Sequence, residues 1–87
     1  MKIKDGFVLR KVAGSYIAVA TGAEAINFNA MVTTNETGAF LWEKLKNDTT
    51  EDELLKALLS EYDVDEETAK ADISDFIKKL EEGKLLV

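Results

Sequence analysis

Two six-residue runs rich in β-branched and aromatic residues, Phe7–Val12 and Ser15–Ala20, stand either side of Ala13-Gly14. Strand-forming runs separated by two residues that tolerate a tight turn predict a β-hairpin. After a second connection at Thr21-Gly22-Ala23-Glu24, residues 26–32 alternate and place Ile26, Phe28, Ala30 and Val32 on one face. A period of two is that of a strand with one buried side, so a third strand is predicted here. The period then lengthens. Thr34 or Asn35 can cap a helix that carries Phe40, Leu41 and Leu45. Thr50-Glu51-Asp52-Glu53 has capping-box spacing ahead of Leu54, Leu55, Leu58, Leu59 and Tyr62, which marks a second helix. Asp65 caps a third and longer one, whose stripe Ala69, Ile73, Phe76, Ile77 and Leu80 keeps helical spacing until Gly83 stops it.

The order is therefore three strands followed by three helices. A three-stranded antiparallel sheet needs something to cover its apolar face, and the three helical stripes are the candidates. The expected fold class is α+β. With 87 residues, short connections, no proline and no internal repeat, the chain reads as one domain over residues 1–87.

Composition narrows the chemistry. The chain has 46% hydrophobic and 32% charged residues, which suits a globular domain rather than an acidic disordered tail. It has neither His nor Cys. That removes Ser-His pairs, thiol nucleophiles and the preferred ligands of zinc, and it fits a reducing, cytoplasmic setting. The start has no apolar run like that of a signal peptide, and no stretch approaches the ~20 apolar residues a membrane span requires. Asp63, Asp65, Glu66 and Glu67 lack the further oxygen ligands and central glycine of a calcium loop, and read as a helix cap and its solvated first turn. The five glycines are scattered and form no phosphate-cradling run. No nucleophile–base pair is offered, so an enzyme is not expected, and neither is a cofactor.

Charge is uneven. Residues 1–33 hold four basic and two acidic side chains, residues 34–87 seven basic and fifteen acidic; +2 and −8 sum to the net −6. Because nucleic-acid affinity comes largely from basic residues displacing counterions, a nucleic-acid partner is not expected. Within this charged chain, residues 25–35 carry no charge at all, and they include the predicted third strand. Either the strand is central or covered by a helix, or it is an edge left open. In a simple meander the first and third strands are the edges, and the first carries Arg10 and Lys11. An open edge suits strand addition by an extended peptide. It also suits pairing or strand exchange with a second copy of the chain.

The stretch Thr33-Thr34-Asn35-Glu36-Thr37-Gly38-Ala39-Phe40-Leu41-Trp42-Glu43, after a strand and before Thr50-Glu51-Asp52-Glu53-Leu54, resembles the signature of the PqqD family. Gly6-Phe7-Val8-Leu9-Arg10 and Tyr62-Asp63-Val64-Asp65 resemble it too, so the similarity covers nearly the whole chain. What the resemblance implies is a winged helix-turn-helix-like fold and a recognition element for ribosomally made, post-translationally modified peptides. Such an element acts as a peptide chaperone. It holds the leader segment of a precursor as a strand added to the third strand, beside the third helix, and presents the remainder to a modifying enzyme, often a radical SAM enzyme. The prototype serves pyrroloquinoline quinone biosynthesis.

Carried onto this chain, the implied peptide-binding groove is walled by Asn27, Asn29, Ala30, Met31 and Val32 on the strand side and by Ala69, Asp72, Ile73 and Phe76 on the helix side. Helical spacing alone favours the core for Ile73, Phe76, Ile77 and Leu80, though a residue at the edge of the stripe can line both core and groove. Phe40 and Trp42 are expected to pack in the core, having no other aromatic near them in sequence. The winged-helix likeness raises a second reading, a DNA-binding or self-associating regulatory domain. Against DNA stands the balance of residues 65–82, seven acidic to three basic.

Overall fold

The hairpin forms where the two strand-forming runs placed it, with β1 at Phe7–Val12 and β2 at Ser15–Ala20. The computed structural model describes residues 1–21 and 32–87. Ala13 and Gly14 both have positive φ, 49° and 82°, the pair of left-handed residues that a type I′ turn requires. The strands pair antiparallel in full register from Phe7↔Ala20 to Val12↔Ser15. The third strand, β3, is described over Val32–Thr34 and pairs antiparallel with β2 through Ala18↔Val32, Ile17↔Thr33 and Tyr16↔Thr34. The predicted strand positions 26–31 lie outside the described residues. Sheet order is β1-β2-β3, the simple meander, with β1 and β3 at its edges.

Cross-strand partners share a face of the sheet, so Phe7, Leu9, Ala18 and Val32 lie on one side and Val8, Arg10, Ile17 and Thr33 on the other. The first side faces the helices: Ala18 and Val32 are buried, and Phe7 and Leu9 pack against the core.

Three helices follow: α1 at Glu36–Lys44, α2 at Glu51–Glu61 and α3 at Glu66–Glu82. Each starts at a side-chain cap. Asn35 rather than Thr34 caps α1, accepting the Gly38 N–H at 2.9 Å, because Thr34 is still strand. Thr50 accepts the Glu53 N–H at 3.2 Å while its own hydroxyl donates to the Glu53 carboxylate, and Asp65 accepts the Thr68 N–H. These caps satisfy N–H groups that have no partner within the helix. The end of α3 departs from the simplest reading. Gly83 has φ −80°, and the left-handed residue is Lys84, at φ 59°. Leu85 N–H donates to Leu80 C=O and Lys84 N–H to Glu81 C=O, a Schellman closure sealed by the buried pair Leu80 and Leu85. Gly83 serves a steric purpose instead: a Cβ there would come within 3.0 Å of Val32 Cγ2.

Among the described residues the core is one cluster drawn from the sheet, all three helices and both chain ends. Its largest members, Trp42, Leu41, Leu45, Leu54, Leu58, Leu80 and Leu85, are each less than 2% exposed. Truncating one of these leucines to alanine removes contacts worth about 2–5 kcal/mol. Residues 1–5, to which the sequence assigned no structural part, stitch the two ends together. Ile3 is buried, its N–H donates to Leu45 C=O, and it bridges to Leu86, while Lys4 N–H donates to Leu85 C=O.

Candidate functional site

The direction of the backbone groups on β3 follows from the hairpin turn. A two-residue turn closes on a mutually hydrogen-bonded pair, here Val12 and Ser15, and such pairs then recur at every second residue. Arg10 and Ile17 are therefore bonded to each other, and the Ile17 N–H and C=O point toward β1. Ile17 also stands opposite Thr33 in β3 but has no backbone group left for it, so Thr33 turns its own N–H and C=O to the free edge. Val32 and Thr34 face β2. The sheet thus ends in a peptide donor and acceptor at Thr33, an exposed residue, that β2 does not use.

Beside that edge runs α3. Its residues Asp72, Asp75, Phe76 and Lys79 repeat at three- and four-residue spacing and so lie along one stripe. Together with Thr34, Asn35, Thr37, Gly38 and Leu41 they line a depression of about 150 Å³ between the start of α1 and the middle of α3. Leu41 and Phe76 are buried and form its apolar floor, while Asp72, Asp75 and Lys79 are exposed at its rim. Close approach of strand to helix is possible because residue 38 is glycine; a Cβ there would overlap the Thr34 side chain. From α3, Lys79 Nζ reaches across the edge and donates to Thr33 C=O at 3.4 Å.

Of the nine residues expected to wall a groove, Asp72 and Phe76 line this depression. Val32, Ala69 and Ile73, at 6%, 0% and 2% exposure, have side chains sealed in the core. Asn27, Asn29, Ala30 and Met31 lie outside the described residues. Sequence reasoning did not place Thr34, Asn35, Thr37, Gly38, Leu41, Asp75 and Lys79 here. A usable signal existed for two of these, since Asp75 and Lys79 continue the stripe begun at Asp72. The α1 residues carried no such signal, because their cap and core roles explained them fully.

Trp42 is 1% exposed and is core, as expected. Phe40 is half-buried and does have an aromatic neighbour, brought by the fold: it meets Tyr62 edge-to-face at 5.5 Å. Lys44 lies over the Phe40 ring at 5.2 Å, so that ring face already has its cation. Burial, and after it the carboxylates of Glu36 and Glu61, push the Tyr62 phenol above its ordinary range and keep it neutral. This cluster is packing rather than a second site. Among the described residues no group of three or more acidic side chains is placed to hold a metal ion, and no helix is long and apolar enough to cross a membrane.

Known proteins share the family and the fold. The family model described as coenzyme PQQ synthesis protein D (PqqD) matches residues 10–86. Two solved structures share the fold. TbiB1, in complex with the TbiA(β) leader peptide, superimposes with a TM-score of 0.73 at 24% identity, covering 99% of this chain and 94% of that one. A lasso peptide synthetase B1, complexed with its leader peptide, gives 0.67 at 18% identity, covering 97% and 93%. No curated protein matches.

Proposed function

The chain belongs to the PqqD family, and from that premise we propose that it is a peptide chaperone that captures the leader segment of a ribosomally made precursor by strand addition to β3. The reading rests above all on Thr33, whose peptide N–H and C=O face the free edge directly beside the depression floored by Leu41 and Phe76. Main-chain bonds at the edge supply affinity without regard to sequence, and an apolar leader side chain seated over Phe76 supplies recognition. Both solved relatives were captured with leader peptides, which supports carrying this ligand class to the present chain.

The protein itself performs no chemistry in this role. It holds the leader while a separate enzyme, of the radical SAM type or another peptide-modifying class, acts on the remainder of the precursor. Transient binding suffices, with a dissociation constant around a micromolar, or about −8 kcal/mol. The wall of α3 carries Asp72 and Asp75, a field that repels phosphate.

The test is a titration of isotope-labelled protein with synthetic leader segments of precursor peptides encoded beside its gene, following backbone amides by NMR. Shifts concentrated at residues 32–34 and 72–79 are expected. A folded, monomeric sample whose amides do not move with any of these peptides would overturn the reading.

A further inference from the structure

The uncharged third strand looked unguarded in the sequence, yet one charge does reach it, supplied by another element. Lys79 sits on α3, and its ammonium donates to the carbonyl of Thr33. The register makes this carbonyl the outward-facing acceptor of the described part of β3. An arriving strand must place one of its own N–H groups on that same oxygen. We propose that Lys79 guards the β3 edge: it occupies the acceptor that strand addition needs, and a strand binds only by displacing it.

The geometry suits a contact that yields. At 3.4 Å the bond is long for an N–H donor to a carbonyl oxygen, and both residues are exposed, so water readily replaces either partner. A lysine stem has four freely rotating carbons and can swing the ammonium into solvent. Among the described residues Lys79 has no ion pair to hold it elsewhere. Its ammonium across the edge is also the kind of device that keeps exposed strands from pairing with each other, here placed on a neighbouring helix rather than within the strand. The guard imposes a threshold.

This inference rests on the strand-addition reading, and the experiment separates the two. Wild type, Lys79→Met and Lys79→Ala are compared for binding of whichever neighbouring leader segment the wild type takes. Self-association is followed by sedimentation, and the ¹³C′ resonance of Thr33 is recorded in each free protein. Both variants are expected to bind the leader about three- to tenfold more tightly, the size of one exposed hydrogen bond. They should also dimerise at lower concentration and shift the Thr33 carbonyl resonance upfield as its donor is lost. Binding by the variants that is equal to or weaker than wild type would overturn the guard while leaving strand addition in place, since weaker binding would mean that Lys79 contacts the peptide. Failure of the wild type to bind any leader would overturn strand addition itself, and the guard with it.

Discussion

The two edges of this sheet are protected in opposite ways. At β1 the charges are in the strand: Arg10 and Lys11 are covalently part of the edge, and Lys11 rests over the ring of its cross-strand partner Tyr16 at 5.8 Å. No ligand can remove them without unfolding the hairpin. At β3 the described strand Val-Thr-Thr is uncharged, and its one cationic contact arrives on a flexible stem from α3. One edge carries its charges within the strand, and the other, conditional one borrows its charge from a helix and lies beside the largely polar depression between α1 and α3. The difference teaches that an exposed strand edge can draw its protecting charge from a neighbouring helix rather than from its own sequence.

The comparison breaks most visibly if each edge loses one outward donor. By the same alternation that turns Thr33 outward, Lys11 turns its peptide away from β2. Thr33→Pro and Lys11→Pro each remove an N–H that the sheet does not use, and edge strands are where proline is tolerated. Both variants are expected to keep wild-type far-ultraviolet circular dichroism. Thr33→Pro should weaken leader binding by roughly tenfold to a hundredfold through the lost bond and the bulk of the ring, and Lys11→Pro by less than about twofold. Calorimetric titration reads both. Equal losses at the two edges would place the peptide elsewhere.

Two glycines sharpen it further. Gly14 is glycine for its φ of 82°, with nothing within 4 Å of where a Cβ would stand. Gly38 is glycine because β3 and α1 meet there, and an added Cβ would run into the Thr34 side chain. Gly38→Ala should therefore cost about 1–3 kcal/mol by overpacking and should distort the start of α1 beside the site. Gly14→Ala should cost only about 1–2 kcal/mol of left-handed strain. Urea unfolding measures both, and leader binding by the folded fraction should fall for Gly38→Ala alone.

Much of this architecture was legible in the sequence because local rules agreed with the global fold. The hairpin was fixed by two strand-forming runs around Ala13-Gly14, and the helix starts by Thr50 with Glu53 and by Asp65. The site was legible only in outline. The edge and helix of the proposed groove were named, but Ala69 and Ile73, carried into it by resemblance, have their side chains in the core, where helical spacing alone favoured placing Ile73. What periodicity cannot reveal is a contact between elements far apart in sequence. Lys79 reaching Thr33 and Ile3 bonded to Leu45 both depend on tertiary placement that no local pattern encodes.

The smallest expected effect concerns acid. The wall beside the β3 edge, α3, begins at Asp65, and hydrogen bonding from Thr68, side chain first and then backbone, holds the Asp65 carboxyl below its ordinary value of 3.8. A carboxylate whose pKa is lowered by folding stabilises the folded state fully above its unfolded value, and that contribution is lost as pH falls through the lower, folded one. The hairpin turn at the opposite edge is made by Ala13 and Gly14, which do not titrate. Lowering the pH from neutrality through about 4 and beyond should thus loosen the first turn of α3 before the hairpin. Amide exchange at Thr68 and its neighbours should quicken at a higher pH than exchange in residues 8–19, after correction for the intrinsic pH dependence of exchange. Asp65→Asn, which keeps a capping oxygen but does not titrate, should abolish that difference. If both regions lose protection at the same pH in the wild type, the α3 wall is not anchored by its cap, and the conditional edge owes its shape to core packing alone.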